Sequence, residues 1–143
     1  MKACFDTSAL VAALLQQHPY HAQAFPRLLA VHQGKLRGVM TTHGLAELFA
    51  TLTALPLKPR LPPADVQRMI QHSVLVHFKV IPLTAKNYAD ALALTVLQGL
   101  SSGAIYDALH LVGARSSGCD VLFTFNLRHF RALAPGDSII VQP

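Results

Sequence analysis

Lys2-Ala3-Cys4-Phe5-Asp6-Thr7-Ser8-Ala9-Leu10 joins a short apolar run to a helix-forming one, with a carboxylate at the joint. Residues 2–5 predict a strand and residues 8–17 a helix, for which Ser8 is a suitable N-cap. The same alternation continues along the chain. Helices are expected over residues 20–33, where Pro26 either kinks the helix or begins a second piece, and over residues 43–55. Further helices are expected from Pro63 to about residue 76, from a Thr84 cap to about residue 97, and over residues 104–115 and 127–133. Residues 38–42, 77–83, 121–125 and 138–141 predict the remaining strands. Four prolines mark residues 56–63 as a loop, and glycine with serine marks residues 98–103 as another. Strands separated by helices predict an α/β fold. The expected architecture is one domain over residues 1–143, a five-stranded, mainly parallel sheet flanked by helices on both faces.

In such sheets ligands bind outside the carboxyl ends of the strands, where strand order reverses. Asp6 ends the first strand, and Thr124 and Asn126 end the fourth. The chain has only seven acidic residues, and three of them sit in apolar company. Asp6 follows Ala3-Cys4-Phe5, Glu47 lies in Leu45-Ala46-Glu47-Leu48-Phe49, and Asp107 in Ile105-Tyr106-Asp107-Ala108-Leu109. Carboxylates are rarely buried unless they are paired or hold a cation. Three of them in core-like settings predict a shared site for a hard divalent cation. Mg²⁺ and Mn²⁺ prefer oxygen ligands, which Asp6, Glu47 and Asp107 supply as anions and Asn126 as a neutral amide. Such ions activate a water and stabilise the leaving oxygen of a phosphodiester. Blander readings stand beside this one. Asp6 can cap the first helix, as can Thr7 or Ser8, and Glu47 or Asp107 can face solvent from a half-exposed helix. Asp65, Asp90, Asp120 and Asp137 read as structural or solvated.

The eight histidines show no zinc spacing. His43 shares a helical face with Glu47, and His110 with Asp107. His43 is therefore a candidate contact for substrate or for the metal-binding groups. His110, inside Ala108-Leu109-His110-Leu111-Val112, reads as a neutral packed residue. No nucleophile elbow, Walker loop or dinucleotide fingerprint is present.

A formal charge of +5 and a pI near 9.6 point to an anionic partner, most simply nucleic acid. Lys58, Arg60 and Arg68 cluster in the proline-rich middle, and Arg128 and Arg131 near the end, with Arg128 a candidate substrate contact. Charge alone supports a merely solvated basic surface equally well. Charged residues make up 13% of the chain and apolar ones 52%, so apolar surface is expected to remain for a dimer or a protein partner. Cys4 and Cys119 read as free, small hydrophobes suited to a reducing cytoplasm. No stretch is long and apolar enough for a membrane span, and Asp6 interrupts what would otherwise pass for a signal segment.

Four stretches in order resemble the PIN-domain family, and within it the VapC-type toxin ribonucleases. They are Phe5-Asp6-Thr7-Ser8-Ala9-Leu10, Thr41-Thr42-His43-Gly44-Leu45-Ala46-Glu47, Ile105-Tyr106-Asp107-Ala108-Leu109-His110 and Leu122-Phe123-Thr124-Phe125-Asn126-Leu127-Arg128-His129-Phe130. The resemblance implies a five-stranded parallel sheet and a Mg²⁺- or Mn²⁺-dependent endoribonuclease of a toxin–antitoxin pair. It implies that Asp6, Glu47 and Asp107 form the metal site, with the hydroxyls of Thr7 and Thr124 close by. Many members carry a fourth aspartate where this chain has Asn126. The implied partners are RNA, a homodimeric second copy and a small antitoxin whose C-terminal segment covers the groove. Two alternatives remain: a non-catalytic PIN-like module that binds RNA or protein, and a house-keeping nuclease with the same chemistry.

Overall fold

The computed structural model describes residues 1–143. In chain order the elements are β1 (Lys2–Phe5), α1 (Thr7–Leu14), α2 (His21–His32), β2 (Arg37–Thr41), α3 (Thr42–Ala54) and α4 (Pro63–Ile70). A π-helical turn (Gln71–Leu75) prolongs α4. There follow β3 (Lys79–Ile81), α5 (Ala85–Leu97), α6 (Ala104–Ser116), β4 (Val121–Phe123), α7 (Leu127–Leu133) and β5 (Ile140–Val141). The strands form one sheet in the order β3-β2-β1-β4-β5, and every pairing is parallel. The expected "mainly parallel" sheet is parallel throughout.

Parallel neighbours need crossovers, and the crossover helices cover both faces, so the central strands are apolar on both sides. Ala3 and Phe5 of β1, Met40 of β2 and Phe123 of β4 point to one face, where they pack with α1, α2, α3 and α4. Cys4, Val39 and Leu122 point to the other, where α5, α6 and α7 cover them. Phe5 meets Phe78 and Phe123 edge-on, with ring centroids 5.1 and 5.2 Å apart. That arrangement sets the positive edge of one ring against the negative face of another. Cys4 and Cys119 are both free and buried.

Several boundaries differ from expectation. The first helix begins at Thr7, and its N-cap is Asp6, not Ser8. Pro26 lies inside α2 without dividing it. The third strand, expected over residues 77–83, is only Lys79–Ile81: the π-helical turn and the following bend use up the residues before it, and Pro82 has no N–H to extend the ladder. The fourth strand, expected to residue 125, stops at Phe123, although the Thr124 N–H still donates to the Val141 carbonyl at 3.1 Å. The fifth begins at Ile140, after Asp137 Oδ1 has accepted from the Ile139 N–H at 3.1 Å.

Candidate active site

The chain moves outward from β1 through β2 to β3, then returns to the opposite side of β1 for β4 and β5. Strand order therefore reverses between β1 and β4, which opens a crevice at their carboxyl ends. Asp6 leaves β1 there with an extended backbone (φ −78°, ψ 175°), the conformation an N-cap requires. Its Oδ1 accepts from the Ala9 N–H at 2.8 Å and from Ser8 Oγ at 2.7 Å, and its Oδ2 accepts from Thr124 Oγ1 at 2.6 Å. Ser8 Oγ in turn accepts from the Phe125 N–H, and Thr124 Oγ1 from the Asn126 N–H, both at 2.9 Å. Two hydroxyls thus lock the chain after β4 onto the carboxylate after β1. Asp6 is only 2% exposed. Burial pushes its carboxyl above the usual carboxylate range, against the opposing pull of His110, Thr124, Ala9 and Ser8.

Glu47 comes from α3, whose start is fixed by Thr41 Oγ1 accepting from the Gly44 N–H at 3.0 Å. Its Oε2 lies 2.8 Å from His43 Nε2, and its Oε1 lies 3.5 Å from His110 Nε2. Burial opposes ionisation of Glu47, but hydrogen bonds from His110, His43 and Thr7 outweigh it and hold the carboxyl well below its usual range. The His43 ring stacks on Tyr106, with centroids 5.1 Å apart and planes 8° apart. His110 is 1% exposed, and its Nδ1 has no partner. Thr7 Oγ1, close to Glu47, is likewise buried without a hydrogen bond of normal geometry.

Asp107 projects from the first turn of α6, where a carboxylate complements the helix dipole. Burial first, then the charge of Asp6, pushes its carboxyl up to about 6; Glu47 adds to this, while His110 and His129 work against it. His129 Nδ1 stands 3.5 Å from Asp107 Oδ2. Arg128 and His129 line a cavity of about 510 Å³ beside Asp107. Asn126, exposed at the start of α7, makes no capping bond through its side chain and lines a second cavity with Thr7, Ser8 and Glu47.

The structure brings Asp6, Glu47, Asp107, Thr7, Thr124, His43, Asn126 and Arg128 to one end of the sheet. The tightest group of ligand-type atoms, however, is His43, Glu47 and His110, all within 4.8 Å of one another. A histidine bound to a metal ordinarily donates its other ring N–H to an acceptor. His110 Nδ1 has none, so ligation through Nε2 would bury an unpaired N–H. A proton on Nε2, shared with Glu47, leaves only a lone pair unmatched. His110 therefore belongs to the site as a partner of Glu47, a role the packed-residue reading missed. Ser8, which bridges Asp6 to Phe125, was missed as well. The i, i+3 spacing of Asp107 and His110 was the available signal for the first; nothing local marked the second.

A fold with this strand order and acids at its switch point matches a known family: the model described as PIN domain fits residues 3–134. The chain belongs to the PIN-domain family. It is 32% identical over 109 residues to Ribonuclease VapC27 of Mycobacterium tuberculosis, a match covering 76% of this chain and 74% of that one. Among solved structures, the fold superposes on M. tuberculosis VapC20, a sarcin-ricin loop cleaving toxin, with a TM-score of 0.72 and 20% identity over 99% of both chains. It also superposes on Rickettsia felis VapBC2 bound to a promoter DNA fragment, with a TM-score of 0.71 and 20% identity over 100% of this chain and 99% of that one.

Proposed function

We propose that this PIN-domain chain is a divalent-cation-dependent endoribonuclease and the toxin of a toxin–antitoxin pair, acting in the cytoplasm. The observation that carries the reading is a buried carboxylate, Asp6, at the strand switch point, with Asp107 near enough that the Asp6 charge pushes its carboxyl up. A bound cation removes that repulsion. The residues present fit Mg²⁺ or Mn²⁺: the donors are oxygens, and the buried hydroxyl of Thr7 beside Glu47 makes no hydrogen bond of normal geometry. Asp6, Glu47 and Asp107 would hold the ion, which when bound supplies an activated water and charge stabilisation at phosphorus. Ser8 and Thr124 keep Asp6 oriented, His43 and His110 keep Glu47 ionised and aimed, and Arg128 beside Asp107 attracts phosphate.

The ribonuclease name of its Mycobacterium tuberculosis relative supports RNA as substrate, and the likeness of its fold to a toxin–antitoxin complex from Klebsiella pneumoniae supports an antitoxin as partner. A homodimer is supported by the stripe of Tyr88, Leu92 and Val96 along the outer face of α5, where Val96 is 75% exposed. No helix is long and apolar enough to cross a membrane.

The test is cleavage of total cellular RNA by purified protein with Mg²⁺, Mn²⁺ or EDTA, beside Asp6→Asn and Asp107→Asn. Discrete products are expected only with metal, and each variant should lose about a hundredfold or more of the rate. Folded protein that neither cleaves RNA nor binds Mn²⁺ would leave the reading as a binding module.

A further inference from the structure

The second cavity, about 430 Å³ in volume, runs from Thr7, Ser8, Glu47 and Asn126 to a wall that hydrolysis does not use. That wall is Tyr20 and Phe125, whose rings stack in parallel with centroids 4.6 Å apart and planes 8° apart. The two rings come from distant stretches of chain. Phe125 is half-buried against the core, whereas Tyr20 is 44% exposed and turns an outer surface to solvent. His18 stands at the same wall, and its Nδ1 accepts from the Tyr20 N–H at 3.1 Å. That bond fixes the tautomer, so Nε2 carries the proton and is left as a donor.

Resting on the ribonuclease reading, we propose that this cavity is a subsite for one unstacked RNA base beside the cut phosphodiester, packed against Tyr20. Single-stranded RNA is bound by laying splayed bases on aromatic rings and meeting their edges with polar side chains. Here the ring wall adjoins Glu47 and Asn126 directly, so a nucleotide whose phosphate lies at the acids has its base within reach of the wall. Polar groups for the base edge are supplied by His18, Thr51 and Asn126. Apart from Glu47 the cavity has no acidic residue, and the chain as a whole is cationic, as a polyanion requires. Tyr20 and Phe125 are binding residues in this scheme and take no part in the chemistry.

The experiment uses Asp107→Asn protein, so that binding is read without cleavage. The probes are labelled hexaadenylate and a hexamer of abasic ribose phosphates, followed by fluorescence anisotropy. Adding Tyr20→Ala should weaken hexaadenylate about tenfold (~1.4 kcal/mol) and leave the abasic hexamer within about twofold, as a stacking contact demands. Tyr20→Trp should restore the affinity, which separates stacking from damage to the fold. An equal effect on both probes, or none on either, overturns the subsite and leaves the cavity to a protein segment. Failure of the Tyr20-intact protein to hold hexaadenylate more tightly than the abasic hexamer also overturns the subsite, whereas the ribonuclease reading falls only if total RNA is not cleaved.

Discussion

At Asp6 one carboxylate oxygen holds Ser8 and the Ala9 N–H, while the other takes the Thr124 hydroxyl. Thr124 spends its one proton on Asp6, and its oxygen also accepts from the Asn126 N–H. Thr124→Val keeps the shape but strands a buried acceptor and a backbone donor. It should lower unfolding stability by about 1–3 kcal/mol in urea titration, with Thr124→Ser close to wild type. An unchanged midpoint for the valine variant would show that water replaces the hydroxyl. Asp107 behaves in the opposite sense. An acid whose folded pKa lies above its unfolded value binds extra protons when folded, so ionising it costs stability. For Asp107 that cost is fully present above about 6 and gone below about 4. Metal-free Asp107→Asn should therefore melt higher than wild type at about pH 8, by ~1–2 kcal/mol or a few degrees, and the gap should close on acidification. A pH-independent gap would locate the effect elsewhere. The three acids of the site were legible in the sequence because a carboxylate among apolar neighbours needs a reason. His110 was not, since an imidazole among apolar neighbours needs none, and Glu47 lies 63 positions away.

Among the elements, α6 and β2 approach most closely where Gly113 faces Thr41. A Cβ on Gly113 would lie 2.5 Å from Thr41 Cγ2 and 3.3 Å from Leu83 Cδ2. Thr41 cannot turn aside freely, because its hydroxyl caps α3. Gly113→Ala should cost about 1–3 kcal/mol through overpacking, read as a drop in Tm. A variant with wild-type Tm would show that the α6–β2 spacing is soft. Much of the fold at this level was readable: β1 and α7 fall where apolar periodicity and flanking residues place them, and Thr84 caps α5 through a capping box with Asn87. What periodicity could not give was where short parallel strands stop. The ends of short strands are set by their partners, and apolar residues such as Phe78, Phe125 and Ile139 lie just outside them.

Over the whole molecule, the acids outside the site are already engaged. Asp65 pairs with Arg68, Asp90 with Lys86 and Asp137 with Arg115, and Asp120 accepts from the Lys2 backbone N–H. Arg128 and Arg131, close to the site on α7, have no acidic partner and remain available to phosphate. RNA affinity should fall about tenfold or more between about 50 and 200 mM salt, measured by anisotropy with metal held constant. A flat response would mean that the basic surface does not meet the backbone.

The bond between Asp6 and Thr124 spans 118 positions and joins one strand to another made much later in synthesis. A nascent chain halted before Val121 has the central β1 covered on one edge only, and its first carboxylate is not yet anchored. On the ribonuclease reading, a growing chain therefore carries its acids past the translation machinery without a working centre. A complete centre forms only once β4 has emerged and paired with β1.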